Sequence, residues 1–341
     1  MDEPKTEPLR ETGARERVVV AGVGRLGLEV AGALELHPGA TLAGWIEPRA
    51  DRCRFARGAG FRAPAEATLS RWLDRHEADS LVVCAPRSER AAIARAALDT
   101  GLPVLVCGLT ALPPAEAEEL AARLESATVT TGAAAPVLSL PLFSRARRGG
   151  VLAPQRLTRL RASASVSRVF SASAAPEGDV LDFLLADLLL LTDAAGGPLV
   201  EVRGTGQSLY GEWVDEVQVE CRTATGLTSR LEASWSIPDY PGVSLVLEAE
   251  GPGLRVLVSD DALEVEQEGG TGRIVAASEP ALTTSDLGDA SRIVEAWVRA
   301  RAGDDSLVDS LSVTRARRVS GVLEAVRASL AAAGEWRAVR S

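Results

Sequence analysis

The apolar positions of this chain change period along its length. Residues 18–30 read VVVAGVGRLGLEV: three β-branched residues run into Gly22, Gly24 and Gly27, and an amphipathic segment follows. That spacing predicts a buried strand turning into a helix across the glycines. Further on, 41–46 is an apolar run ending in Glu47, 80–85 (SLVVCA) is a short buried strand stopped by Pro86, and 104–107 is another after the turn at 101–103. Helical spacing fills 89–99 and 114–125, the second opening on proline and acids as helix starts prefer, and 129–131 reads as one more strand. Strands alternating with helices predict a doubly wound parallel sheet.

From Leu157 the pattern shortens to alternation. Residues 157–167 alternate like a strand, 179–192 are an apolar helix, and strand-like runs follow at 199–203, 214–222, 228–235, 244–250, 254–258 and 263–267. Turns such as Thr225-Gly226 and Gly251-Pro252-Gly253 separate them, which predicts an antiparallel sheet. Helical segments at 290–301 and 312–333 close the chain. The expected organisation is α/β: a polar, disordered tail over 1–15, a doubly wound domain over 16–131, and an α+β domain over 132–338 whose open sheet is mostly antiparallel.

The glycines carry the first chemical reading. Gly22 permits the tight turn, Gly24 lets backbone approach a pyrophosphate, and Gly27 lets helix pack close to strand. Phosphates would rest on the helix N-terminus, where unpaired N–H groups and the dipole favour negative charge. Glu47 falls about 20 residues on, where an acid accepts hydrogen bonds from a ribose diol. The candidate dinucleotide contacts are therefore Gly22, Val23, Gly24, Arg25, Leu26, Gly27, Glu47, Arg49 and the Ala85-Pro86 turn. Glu47 favours NAD, and Arg49 partly offsets its repulsion of the 2′-phosphate of NADP.

Composition narrows the remaining chemistry. With 341 residues and 46% hydrophobic content, two buried cores are within reach. A net charge of −10 argues against nucleic-acid or anionic-membrane surfaces and leaves small molecules or other proteins as partners. No apolar run is long enough to span a membrane, and the first 15 residues lack a hydrophobic leader core, so a cytoplasmic protein is expected. Cys53, Cys84, Cys107 and Cys221 show neither C-x-x-C pairing nor metal-ligand spacing, which predicts reduced, mostly buried thiols and no metal. Lys5 is the one lysine; His37 and His76, the two histidines, fall at the edge of the predicted sheet away from ligands. Groups able to move a proton are scarce.

A dinucleotide-binding domain followed by an α+β domain with an open sheet resembles the Gfo/Idh/MocA oxidoreductases, over essentially residues 16–338. Residues 230–236 (RLEASWS) look like the family's sheet strand. The resemblance implies a Rossmann domain, NAD or NADP, a small polar substrate, and a homodimer or homotetramer formed through the sheet face. Where the family has Glu-Lys-Pro this chain has Cys107, Gly108 and Leu109. Where it has an aspartate and a histidine four residues apart, this chain has Asp182 and Ala186, with Leu184 in place of a glycine between them. Arg90 stands where histidine is frequent. The resemblance thus implies a divergent site in which nothing else in the chain replaces the lysine and histidine.

Asp182 is the candidate for proton transfer by motif position, read either as a carboxyl among apolar side chains or as a helix-start cap. Tyr210, Tyr240 and Cys107 are further candidates, and Asp187 and Asp193 are expected to face solvent or an interface. Leu184, Leu185 and Ala186 are expected to make the cleft apolar. Three functions fit: an NAD(P)-dependent reductase of an imine or activated double bond, as in the thiazolinyl imine reductases of this fold; a non-redox enzyme performing cyclisation, elimination or isomerisation; or a catalytically silent partner subunit. A place in secondary metabolism fits the first.

Overall fold

The computed structural model describes residues 15–166, 180–209, 213–235, 243–259, 262–267, 270–275 and 287–340. Six parallel strands form the first sheet: β1 (Glu16–Ala21), β2 (Ala40–Ile46), β3 (Ala65–Glu66), β4 (Ser80–Val83), β5 (Val104–Cys107) and β6 (Thr131–Ala134). Their order is β3-β2-β1-β4-β5-β6, so the winding reverses between β1 and β4 and opens a crevice at their carboxyl ends. Helices α1 (Arg25–Leu36), α2 (Ala50–Gly58), α3 (Leu69–Leu73), α4 (Arg87–Asp99) and α5 (Pro114–Ser126) link these strands. Val18, Val19, Val20, Leu81 and Val83 have no exposed surface, which is why these strands read as continuous apolar runs. The expected strand over 129–131 instead begins at Thr131 and runs past the expected domain boundary; its sequence, TGAA, carries little pattern.

After α6 (Pro141–Arg148) the chain enters a nine-stranded sheet. Its strands are β7 (Arg159–Val166), β8 (Leu199–Gln207), β9 (Glu216–Thr223), β10 (Thr228–Ser234), β11 (Val243–Gly251), β12 (Leu254–Val258), β13 (Ala262–Gln267), β14 (Gly270–Val275) and β15 (Arg337–Ala338), in the order β14-β13-β12-β11-β7-β10-β9-β8-β15. Neighbours are antiparallel except β7 and β10, which run parallel. The inner face packs on α7 (Ala186–Gly196), which a π-turn at Leu181–Leu185 opens, and on α9 (Val313–Ala331). The outer face is polar: Arg203 pairs with Glu220 at 2.7 Å, Arg255 with Glu248 at 2.7 Å, and Trp336 lies 4.1 Å from the Arg222 guanidinium.

Helix α8 (Leu287–Arg301) leaves this sheet and returns to the first one. It packs on α1, and its Ile293, Val294 and Trp297 share a core with Val18, Val20 and Leu34. The expectation grouped this helix with the second domain; the packing sets it against the first. Among the described residues, no helix is long and apolar enough to cross a membrane.

Candidate functional site

The loop after β1 is shaped by contacts that leave no room for side chains. Gly22 has φ +97°, and a Cβ there would stand 2.7 Å from Ala85 Cα and 2.8 Å from the Cys84 carbonyl oxygen. At Gly27 it would stand 2.0 Å from the Gly22 carbonyl oxygen. Gly24 differs, because the nearest heavy atom to such a Cβ is Arg52 Nη1 at 3.7 Å. Helix α1 starts beyond Gly24 with no side-chain cap and no acid in its first turn, so its first N–H groups are left for an anion. A cleft of about 700 Å³ opens there, walled by Val23, Gly24, Leu28, Arg52 and Phe55. The space and the donor set fit a dinucleotide.

Glu47 is buried against this loop. Its Oε2 accepts from the Val23 N–H at 3.0 Å and its Oε1 from the Arg49 N–H at 3.1 Å, with Arg49 Nε at 3.5 Å. Each oxygen keeps accepting capacity beyond its one backbone donor. Arg52 donates to the Val23 carbonyl at 3.0 Å, and Arg25 pairs with Glu29 at 3.0 Å. Across the crevice, Ala85 is buried and Pro86 exposed at the start of α4.

A second group of charges meets at the carboxyl ends of β4 and β5. Asp182, on the π-turn, is 7% exposed in its side chain and pairs with Arg327 of α9 and, at 3.4 Å, with Arg87 of α4. The sequence had pointed to apolar neighbours or helix N–H groups; guanidiniums face it instead. Arg90, one turn along α4, donates to the Gly108 carbonyl at 2.8 Å, and a Cβ on Gly108 would stand 2.9 Å from Arg90 Nη1. Burial lowers the Arg90 pKa from its ordinary value, and its buried Nε has no hydrogen-bond partner. Positive charge therefore stands over Gly108, which the sequence had read as lost, although a guanidinium does not relay protons.

The other candidates divide. Cys107 is buried, and the Cys84 thiol donates to its sulfur at 3.8 Å. That hydrogen bond and burial hold the Cys84 thiol well above its ordinary pKa, so it stays neutral and unreactive. Tyr210 and Tyr240 lie outside the described residues. Leu184, Leu185 and Ala186, expected to line the cleft, are all closed into the core, and the exposed apolar group of this turn is Phe183, 41% exposed and 6.5 Å from the Trp235 ring. Asp193 corrects an expectation: it is buried, not solvent-facing, and pairs with Arg315 at 3.0 Å and Arg318 at 2.7 Å. His37 accepts from the Gly39 N–H at 3.0 Å on one ring nitrogen and meets Glu295 at 2.9 Å on the other; His76 stacks on Trp72. Both histidines serve the fold.

A parallel sheet with an open glycine loop at its switch point is followed along the chain by a mixed, mostly antiparallel sheet. Residues 16–134 match the Gfo/Idh/MocA family model, an oxidoreductase family with an NAD-binding Rossmann fold. No curated protein matches it. Among solved structures, it is similar to an oxidoreductase from Agrobacterium radiobacter in complex with NAD+, L-tartaric acid and magnesium (14% identity, TM-score 0.79, 96% of this chain and 99% of that one). It also resembles a UDP-N-acetylglucosamine 3-dehydrogenase from Acidithiobacillus ferrooxidans (20%, TM-score 0.78, 94% and 99%). A third likeness is to the WlbA dehydrogenase from Bordetella pertussis in complex with NADH and UDP-GlcNAcA (16%, TM-score 0.79, 97% and 99%). These likenesses concern the fold.

Proposed function

We propose that this chain is an NAD-dependent oxidoreductase that reduces an imine or an activated double bond of a small, fairly apolar substrate. One observation carries the reading: the loop is closed to side chains at Gly22 and Gly27 and open at Gly24, beside an uncapped helix N-terminus. When bound, the nicotinamide supplies the hydride. The chain holds the pyrophosphate on the first turn of α1 and meets the adenosine ribose with Glu47. Neither histidine lies at this crevice and the one lysine is Lys5, so oxidation of an alcohol, which needs a base, suits the site poorly. Reduction asks less, since a proton from water completes it.

Titration with NADH and NADPH tests this, read by tryptophan quenching and by nicotinamide emission, with Trp45 two residues before Glu47 as reporter. Micromolar binding of NADH, tighter than of NADPH and lost in Gly24→Asp, is the expected result. Failure of both nucleotides to bind would overturn it.

The same reading extends to assembly, with the outer face of the nine-stranded sheet as the contact between copies. Its Arg–Glu pairs support an interface that weakens as ions screen them. Sedimentation velocity is expected to show an oligomer in dilute buffer that loosens in high salt; a monomer under both conditions would count against it.

A further inference from the structure

We infer that the outer face of the nine-stranded sheet carries a binding site for a phosphoryl dianion, either inorganic phosphate or a small phosphate monoester. A cavity of about 220 Å³ opens there at the amino ends of β7 and β10, with Arg159, Arg161, Arg222, Arg230 and Trp336 in its wall. Alternation puts these arginines on the wet side of the sheet, while Leu160, Cys221 and Leu231 between them face the core. The register then crowds them. Arg161 and Arg230 are partners across the parallel pair of β7 and β10, on strands about 4.8 Å apart. Thr228 stands between Arg159 on one side and Arg222 on the other. Like charges directly opposite one another destabilise a sheet, and an anion seated among them removes that cost. The cavity belongs to a single copy, and Phe183 and Trp235 mark the other end of β10, so the site depends on neither the reductase reading nor the contact between copies.

The acids nearby offset this charge only in part. Glu220, the one acid in the cavity wall, is engaged by Arg203 at 2.7 and 2.9 Å. Glu248 is likewise engaged by Arg255 at 2.7 and 2.9 Å, which leaves Arg161 3.9 Å from it. Arg159 lies 3.5 Å from Glu250, and neither Arg159 nor Arg161 makes a side-chain hydrogen bond among the described residues. Arg222 pairs with Glu201 at 3.0 Å and Arg230 with Glu232 at 3.2 Å, both acids standing outside the cavity wall. Trp336, 4.1 Å from the Arg222 guanidinium, braces that side. The four arginine side chains are 50–56% exposed, so a ligand reaches them from solvent. A carboxylate offers two coplanar oxygens and matches one fork; a phosphoryl dianion offers three oxygens and a second charge, and so answers several guanidiniums at once. The cavity is smaller than the roughly 300–1,000 Å³ of pockets for larger ligands, which suits one compact group.

Calorimetric titration with inorganic phosphate and with phenyl phosphate, at pH 8 and at constant ionic strength in chloride, tests the inference. Both probes are mainly dianions there. The parent is expected to bind with a Kd of about 0.1–1 mM. Tighter binding of phenyl phosphate assigns the site to a monoester; equal or tighter binding of phosphate assigns it to the free ion. Arg161→Gln should weaken binding about tenfold or more, the loss of a charge-assisted hydrogen bond. Because Arg161 is exposed and opposes Arg230, this variant should be at least as stable as the parent in chloride, and phosphate should raise its urea midpoint less than the parent's. Arg62→Gln removes the same charge from an exposed position on the first domain and should leave the Kd within about twofold. No binding of either probe to the parent would overturn the inference. So would an unchanged Kd in Arg161→Gln, which would place the anion elsewhere, as at the start of α1, or an equal loss in Arg62→Gln, which would reduce the effect to net charge. None of these measurements involves NADH, so failure of the nucleotide to bind leaves them intact.

Discussion

Gly27→Val is expected to abolish NADH binding and to destabilise the protein by about 3 kcal/mol, the upper part of the range for overpacking a close-fitted site. A Cβ on residue 27 would fall 2.0 Å from the Gly22 carbonyl oxygen and 3.2 Å from its carbon, and neither is the end of a side chain that can swing away. Relief requires α1 to move off the strand. That motion carries Gly24 and the first-turn N–H groups with it, so the phosphate cradle and the packing of the helix fail together. Gly24→Ala separates the two effects, since the nearest atom to its Cβ is 3.7 Å away. It should fold with wild-type stability and lose affinity alone. Urea unfolding and NADH titration of both variants give the comparison; a Gly27→Val protein that binds NADH like the parent would refute this account of the loop.

That loop was the most legible part of the sequence, because its constraint is local: strand, glycines and helix are contiguous, and Gly22 and Gly27 answer to a backbone within five residues or to the adjoining strand. The alternation from β7 to β13 was legible for a similar reason, with one face buried and one face wet. What escaped was set by partners distant in sequence. Gly108 read as the loss of a charge, yet Arg90, 18 residues earlier, lays its guanidinium over it. Strands β3 and β15 have two residues each, too few to show a period. Asp193 carried a signal that went unused. Its helix is apolar on every side, with Leu188, Leu189, Leu190 and Leu191 all buried, and a carboxylate in such a helix must be paired. Arg315 and Arg318, three apart on α9, are the pair it finds.

The return of α8 to the first sheet was equally invisible, and it is held by the interaction whose loss should cost most. Arg301→Met is expected to destabilise the protein by about 3–5 kcal/mol, as breaking a buried ion pair on one side does. Arg301 Nε lies 3.2 Å from Glu16 Oε1, and the two side chains are 6% and 5% exposed. The Ser80 hydroxyl donates to the same oxygen at 2.6 Å, the Trp297 indole donates to Ser80 at 3.0 Å, and Arg301 also reaches Thr130 at 3.0 Å. Removing the guanidinium leaves the Glu16 carboxylate closed from water with the Ser80 hydroxyl as its remaining side-chain partner among the described residues. Adding Glu16→Gln removes that stranded charge, so Glu16→Gln/Arg301→Met should recover most of the loss. Urea midpoints of the parent, the single and the double variant test this; a double variant no more stable than the single would show that packing, rather than the buried charge, sets the cost. The network lies at the amino end of β1, the opposite end from the glycine loop. Whatever fraction of Arg301→Met stays folded should therefore bind NADH with the parent's affinity, which separates the device that closes the chain from the one that holds the nucleotide.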